Sequence, residues 1–145
     1  MIVYLDNSAL NRPFDDQKQA RIWLETLALS VILQLIETGA VEAVRSPAQD
    51  LENSENPFAL RQQWVDKCLR LARRAVALDA TVKTRALDCE RQGLKPLDAL
   101  HVASAERAGV THFLTCDDRL QRRYSGTMIV LNPVDFVLLW SEENP

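Results

Sequence analysis

The order of apolar and polar positions divides the chain into short β-like runs and longer helical ones. Ile2-Val3-Tyr4-Leu5 is apolar at every position, the pattern of a strand buried on both faces of a parallel sheet. It stops abruptly at Asp6, and a polar loop follows, Asn11 to Asp16. The segment from about Gln19 to Thr38 reads as a long helix ending at Gly39, a natural residue just past a helix end. Its apolar residues (Ile22, Trp23, Leu27, Leu29, Val31, Ile32, Leu35, Ile36) cover more than one stripe. Such a helix is either sandwiched inside the fold or presents one face to a second subunit.

Val41 to Arg45 reads as a second strand. Ser46-Pro47 opens a short helix carrying Glu52, and Asn56-Pro57 ends it. From Phe58 to about Ala75, Leu60, Trp64, Cys68 and Ala72 recur every fourth residue, predicting an amphipathic helix. Its other face carries Arg61, Lys67, Arg70, Arg73 and Arg74. A short strand is expected at Val76 to Leu78. Asp79 suits the cap of a helix running to Gln92, and Pro96 the first position of another ending near Ala108-Gly109. His112 to Thr115 is a strand, Asp117-Asp118 opens a short basic helix, Met128 to Leu131 is the last strand, and Pro133 to Trp140 a closing helix. Strands alternating with helices predict an α/β fold with a parallel sheet, and 145 residues predict a single domain spanning 1–145.

Composition adds limits. The apolar fraction of 47% and charged fraction of 26% are those of a globular chain. Cys68, Cys89 and Cys116 are odd in number and widely spaced, which argues against a disulfide framework or zinc cluster. With no signal peptide, a reducing cytoplasm is expected. The longest apolar run, Leu27 to Ile36, is interrupted by Ser30 and Gln34 and is too short to span a bilayer. The formal charge of −3 does not by itself favour a nucleic-acid partner.

The candidate chemistry is acidic. In open parallel sheets, ligands bind beyond the carboxyl ends of the strands. Asp6 and Asp117 follow strands directly, Asp98 lies in the first turn of a helix, and Glu52 in the helix after the second strand. Taken singly, Asp98 would suit a helix dipole, Asp117 an N-cap, and Glu52 a solvated helix face, with Asp50 a competitor for its place. Taken together, four convergent carboxylates must protonate or accept a cation. Hard oxygen ligands select Mg²⁺ or Mn²⁺, and the ion would make an acidic pocket attractive to phosphate. Ser8 and Thr115 are placed to touch substrate, a metal-bound water or Asp6. Arg12 and the Arg119, Arg122, Arg123 cluster are the favoured phosphate contacts, ahead of the basic face after Phe58. His101, one turn after Asp98, reads as a packing histidine, with contact to substrate or a neighbouring acid as the alternative.

Other phosphate chemistries of similar fold lack their residues here. A haloacid-dehalogenase-type phosphatase needs a second Asp two residues after the first, where Ser8 stands. A P-loop needs clustered glycines, and the chain has four, none clustered. A receiver domain needs an acidic pair at the end of its first strand, and Asp15-Asp16 is too distant.

Four segments carry a resemblance: Val3-Tyr4-Leu5-Asp6-Asn7-Ser8, Glu52 ahead of Asn56-Pro57, Leu97-Asp98-Ala99-Leu100-His101-Val102-Ala103, and Phe113-Leu114-Thr115-Cys116-Asp117-Asp118. Over nearly its whole length the chain resembles a PIN domain, of the kind found in VapC-like toxins of bacterial toxin–antitoxin pairs. The resemblance implies a three-layer fold with about five parallel strands and a Mg²⁺- or Mn²⁺-binding acidic pocket. It implies an endoribonuclease acting on single-stranded RNA, a homodimer, and a small antitoxin as partner. Asn7 and Cys116 stand where the family often has Thr, while all four acids are present. The implied reaction is metal-assisted phosphodiester hydrolysis, with Asp6, Asp98 and Asp117 holding the ion and Glu52 completing the site or orienting the water. A non-catalytic module that binds RNA or protein is the alternative.

Overall fold

The computed structural model describes residues 1–145. In chain order the elements are β1 (Ile2–Leu5), α1 (Asn7–Leu10), a 3-10 turn (Arg12–Phe14), α2 (Ala20–Glu37), β2 (Glu42–Arg45), α3 (Pro47–Ser54), α4 (Ala59–Leu69) and β3 (Arg74–Ala75). Then come α5 (Ala80–Arg91), α6 (Pro96–Arg107), β4 (His112–Leu114), α7 (Asp118–Arg123), β5 (Ile129–Leu131) and α8 (Pro133–Glu143). The five strands form one sheet in the order β3-β2-β1-β4-β5, every pair parallel.

The uniformly apolar β1 lies at the centre, as its pattern requires. Because side chains alternate along a strand, Tyr4 enters one core and Val3 and Leu5 the other. Tyr4 stacks on Phe113 of β4 with ring centroids 5.1 Å apart, in a core closed by Val82, Ala86 and Cys89 of α5 and Val102 of α6. Val3, Leu5 and Leu114 pack on the other face against Leu29 and Ile32 of α2, Val65 of α4 and Phe136 of α8. This is the expected three-layer α/β fold. All three cysteines are free and buried. No helix is long and apolar enough to cross a membrane.

Two elements differ from the expectation. The helix predicted to run from Phe58 to Ala75 ends at Leu69, and β3 follows at Arg74–Ala75 rather than 76–78. Its buried residues are Val65, Cys68 and Leu69, whereas Leu60 is 75% exposed. A four-residue spacing overshoots the 3.6-residue turn by about 40° per step, so Leu60 and Cys68 cannot share one line of contact. The short α1 fills the stretch between β1 and the polar loop, to which the sequence pattern assigns no element. On α2, Ile22, Ala28, Leu29, Ile32 and Ile36 are buried, while Trp23, Leu24, Leu27 and Val31 form an exposed apolar stripe.

Candidate active site

Connections leaving β1 and β4 run to opposite sides of the sheet, so a crevice opens beyond their carboxyl ends. The backbone N–H of Asp6 donates to the Leu114 carbonyl at 2.9 Å, pinning the acid beside the end of β4. Because helices return antiparallel to the strands, the N-termini of α6 and α7 reach the same edge. They bring Asp98 in the first turn of α6 and Asp117 as the residue capping α7. From the other side α3 brings Glu52. The resulting cleft, of about 310 Å³, is lined by Asp6, Asn7, Ser8, Asn11, Arg12, Asp15, Glu52, Asp98 and Asp117, with no hydrophobic residue.

Each acid is held differently. Asp6 is nearly buried, and its Oδ2 accepts from the hydroxyls of Ser8 and Thr115, both at 2.7 Å. The Thr115 hydroxyl in turn accepts from the Asp117 N–H at 3.0 Å. Asp117 accepts the N–H groups of Arg119 at 2.9 Å and Leu120 at 3.2 Å, both on Oδ1. It is therefore an N-cap and a cleft residue at once. Glu52 Oε1 lies 3.1 Å from His101 Nε2. Burial, followed by the charges of Asp6 and Asp117, pushes the Asp98 carboxyl up to about 6, with Glu52 adding to the rise and His101 opposing it.

The donor set fits a hard divalent cation. Five acidic side chains face one guanidinium, that of Arg12, and Arg12 is already engaged with Asp15 at 3.1 Å and with buried Glu25 at 2.9 Å. Asn7 donates to the Gln49 carbonyl at 3.2 Å, which leaves its Oδ1 buried without a partner. Oxygen atoms of Asp6 and Glu52 and a ring nitrogen of His101 lie within 4.8 Å of one another. Uncompensated acids this close favour binding a cation over standing ionised together.

The structure thus brings Asp6, Glu52, Asp98 and Asp117 to one cleft. Asp50 is elsewhere, bonded through Oδ1 to Arg45 at 2.6 Å. Ser8 lines the cleft, but Thr115 is buried behind Asp6 and spends its hydroxyl there, so its place is that of a support for the acid rather than a substrate contact. Arg119 is exposed and not among the lining residues. Much of the basic face after Phe58 is occupied: Arg70 pairs with Asp66 at 2.6 Å and Arg74 with Glu42 at 3.2 Å. Arg61 covers the Phe58 ring at 4.8 Å. His101 packs in the core and also meets a neighbouring acid. Asn7, Asn11 and Asp15 were not anticipated at the cleft, although Asp15 lies in the polar loop that the sequence marks out.

Comparison with known proteins gives three kinds of result. The model of the family described as PIN domain matches residues 3–126. No curated protein matches the chain. Among solved structures, VapBC2 from Rickettsia felis, bound to a DNA fragment from its promoter, superimposes with a TM-score of 0.58 at 15% identity, over 91% of this chain and 98% of that one. FitAcB from Neisseria gonorrhoeae gives 0.54 at 18%, over 92% and 98%. PAE2754 from Pyrobaculum aerophilum gives 0.54 at 17%, over 99% and 91%. At these identities the likeness is one of fold.

Proposed function

From the premise that this chain belongs to the PIN domain family, we propose that residues 1–145 form one nuclease unit, a Mg²⁺- or Mn²⁺-dependent endoribonuclease that hydrolyses phosphodiester bonds of single-stranded RNA. The observation that carries the reading is the convergence of Asp6, Glu52, Asp98 and Asp117 on one wholly polar cleft. Asp6, Asp98 and Asp117 would hold the ion, and Glu52 would complete the site. When bound, a divalent cation supplies Lewis acidity, polarising the phosphoryl group and lowering the pKa of water.

The chain's own groups prepare that site. Ser8 and Thr115 fix Asp6 through Oδ2 and leave Oδ1 to the cation. The α7 amides fix Asp117 through Oδ1 and leave Oδ2. Arg12, held by Glu25 and Asp15, is the guanidinium at hand for a phosphate oxygen. Arg119, exposed beside Asp117, would add a contact further along the backbone. No lining residue is a neutral imidazole or thiol, so proton removal from water falls to a carboxylate or to solvent.

A toxin role follows from the VapC-like resemblance, with a small antitoxin as partner. The exposed stripe Trp23, Leu24, Leu27 and Val31 suits a homodimer interface. Three free buried thiols and the absence of an apolar spanning helix accord with a cytoplasmic protein.

The test is cleavage of labelled single-stranded RNA, double-stranded RNA and single-stranded DNA by the purified chain in EDTA, Mg²⁺ and Mn²⁺. Divalent-dependent cutting of single-stranded RNA, lost in folded Asp6→Asn and Asp98→Asn, is expected. Cutting that persists in EDTA or in both variants would sink the reading. Binding of RNA without cutting would leave a non-catalytic module.

A further inference from the structure

Behind Glu52 runs a string of hydrogen bonds that the hydrolytic residues do not account for. Glu52 Oε1 meets His101 Nε2 at 3.1 Å, His101 Nδ1 meets the Tyr4 hydroxyl at 2.6 Å, and that hydroxyl meets Ser46 Oγ at 2.6 Å. Tyr4 and His101 are both fully buried. Ser46 is the residue capping α3, the helix that carries Glu52. The string is therefore a closed circuit from the start of α3, through β1 and α6, back to the second turn of α3. Gln49 braces the same corner: its Oε1 accepts from the Ser46 N–H at 2.9 Å, and its Nε2 donates to the Leu5 carbonyl at 2.7 Å.

Polar groups placed this deep in a core are costly unless partnered, and these partners leave one outlet. His101 does not line the cleft, whereas Glu52 does. Every polar atom along the string has a partner. With Nε2–H donating to Glu52, Nδ1 accepts from the Tyr4 hydroxyl in a neutral ring or donates to it in a protonated one, and the Tyr4 and Ser46 hydroxyls complete the string in either case. Without this anchor, Glu52 would be an ordinary half-exposed helix side chain with free rotamers.

We propose that His101 is a positioning residue for Glu52, fixed in orientation by Tyr4 and Ser46, so that Oε1 is held by the ring and Oε2 is presented to a divalent cation. This rests on the reading of the cleft as a cation site. Although a ring nitrogen lies within 4.8 Å of oxygens of Asp6 and Glu52, the ring is not itself a ligand in this reading, because its nitrogens are already bonded to Glu52 and Tyr4 and it does not line the cleft. Partners of this kind, standing behind a ligand, commonly govern 10- to 100-fold in metal affinity.

The experiment is a titration with Mn²⁺ alone, followed by electron paramagnetic resonance, with circular dichroism melts to establish folding. Wild type is expected to bind Mn²⁺ with no directly coordinated nitrogen in the pulsed spectrum. His101→Leu should weaken binding about 10- to 100-fold, Tyr4→Phe should weaken it less, and His101→Gln, which keeps a donor for Oε1, should recover much of the loss. If His101→Leu does not fold, the ordering of wild type, His101→Gln and Tyr4→Phe carries the test. Wild-type affinity in the folded variants would overturn the proposal, as would a strongly coupled imidazole nitrogen. If Asp6→Asn binds Mn²⁺ like wild type, the cation cleft itself has failed, and the positioning role with it.

Discussion

Removing one charge from the acidic cleft should stabilise the metal-free protein while costing it the ion. Asp98 is the residue on which this is sharpest, because its carboxyl is pushed up to about 6 by burial and then by Asp6 and Asp117. A carboxyl whose pKa is raised on folding favours the folded state below its unfolded value, near 3.9. That advantage is lost as the pH climbs through the folded value and is gone above about 6.5. The full displacement corresponds to roughly 3 kcal/mol. Solvent in the open cleft screens it to about 1–2 kcal/mol. Asp98→Asn also gives up a favourable first-turn charge on α6, about 0.3–1 kcal/mol. A net gain of about 1 kcal/mol remains, which for a chain of this length moves the melting temperature by roughly 2–4 °C.

The assay is thermal unfolding in EDTA at pH 4.5 and 7.5, repeated with saturating Mg²⁺. In EDTA at pH 7.5 the variant should melt above wild type, and the gap should shrink toward pH 4.5, where Asp98 is protonated anyway. Mg²⁺ should then raise wild type by mass action, about 2.7 kcal/mol at one hundred times Kd, and raise the variant much less. A variant that melts at or below wild type in EDTA at pH 7.5 would refute the picture of mutually repelling acids.

Three further outcomes follow from packing. Glu25, whose side chain is fully buried against Arg12 and Arg21, should lose about 2–4 kcal/mol as Glu25→Gln, read from urea midpoints, because two guanidinium groups lose their shared counter-charge. Val65→Ala should cost roughly 1–3 kcal/mol and Leu60→Ala less than about 0.5 kcal/mol; the reverse order would restore the four-residue stripe on α4. Trp23→Lys combined with Leu27→Lys should convert a dimer to a folded monomer in light scattering, and a wild type already monomeric at tens of micromolar would remove the exposed α2 stripe as an interface.

The legible parts of the fold are those fixed by local rules. Ile2–Leu5 reads as a central strand from its uniform apolarity, and Pro96 suits the first position of a helix, so local patterning alone places Asp6 at a strand's end and Asp98 in a first turn. The α4 and β3 boundaries were not legible, since β3 is a two-residue edge strand of exposed residues that owes its place to pairing with Val44 and Arg45. Glu25 was hidden because an acid in a helix ordinarily faces water. Its burial depends on Arg12 and on Asn132, which is 107 positions away. His101 looked like a packing residue for the same reason, as its partner Tyr4 lies 97 positions earlier.

The way each acid is held explains why one of them bears the strain. Asp6 has two hydroxyl donors, Asp117 two backbone amides, and Glu52 an imidazole. Asp98 has no hydrogen-bond donor acting on its carboxyl; burial and three neighbouring acids raise it, and only His101 opposes them. Three carboxylates are therefore fixed by the protein, and the fourth is the group with most to gain from an external cation. A preorganised trio with one unsatisfied member is an arrangement in which the proposed cation would relieve the repulsion among the acids. Under the proposed function, the same asymmetry would make Asp98 the residue where the demands of stability and of cation binding oppose each other most directly.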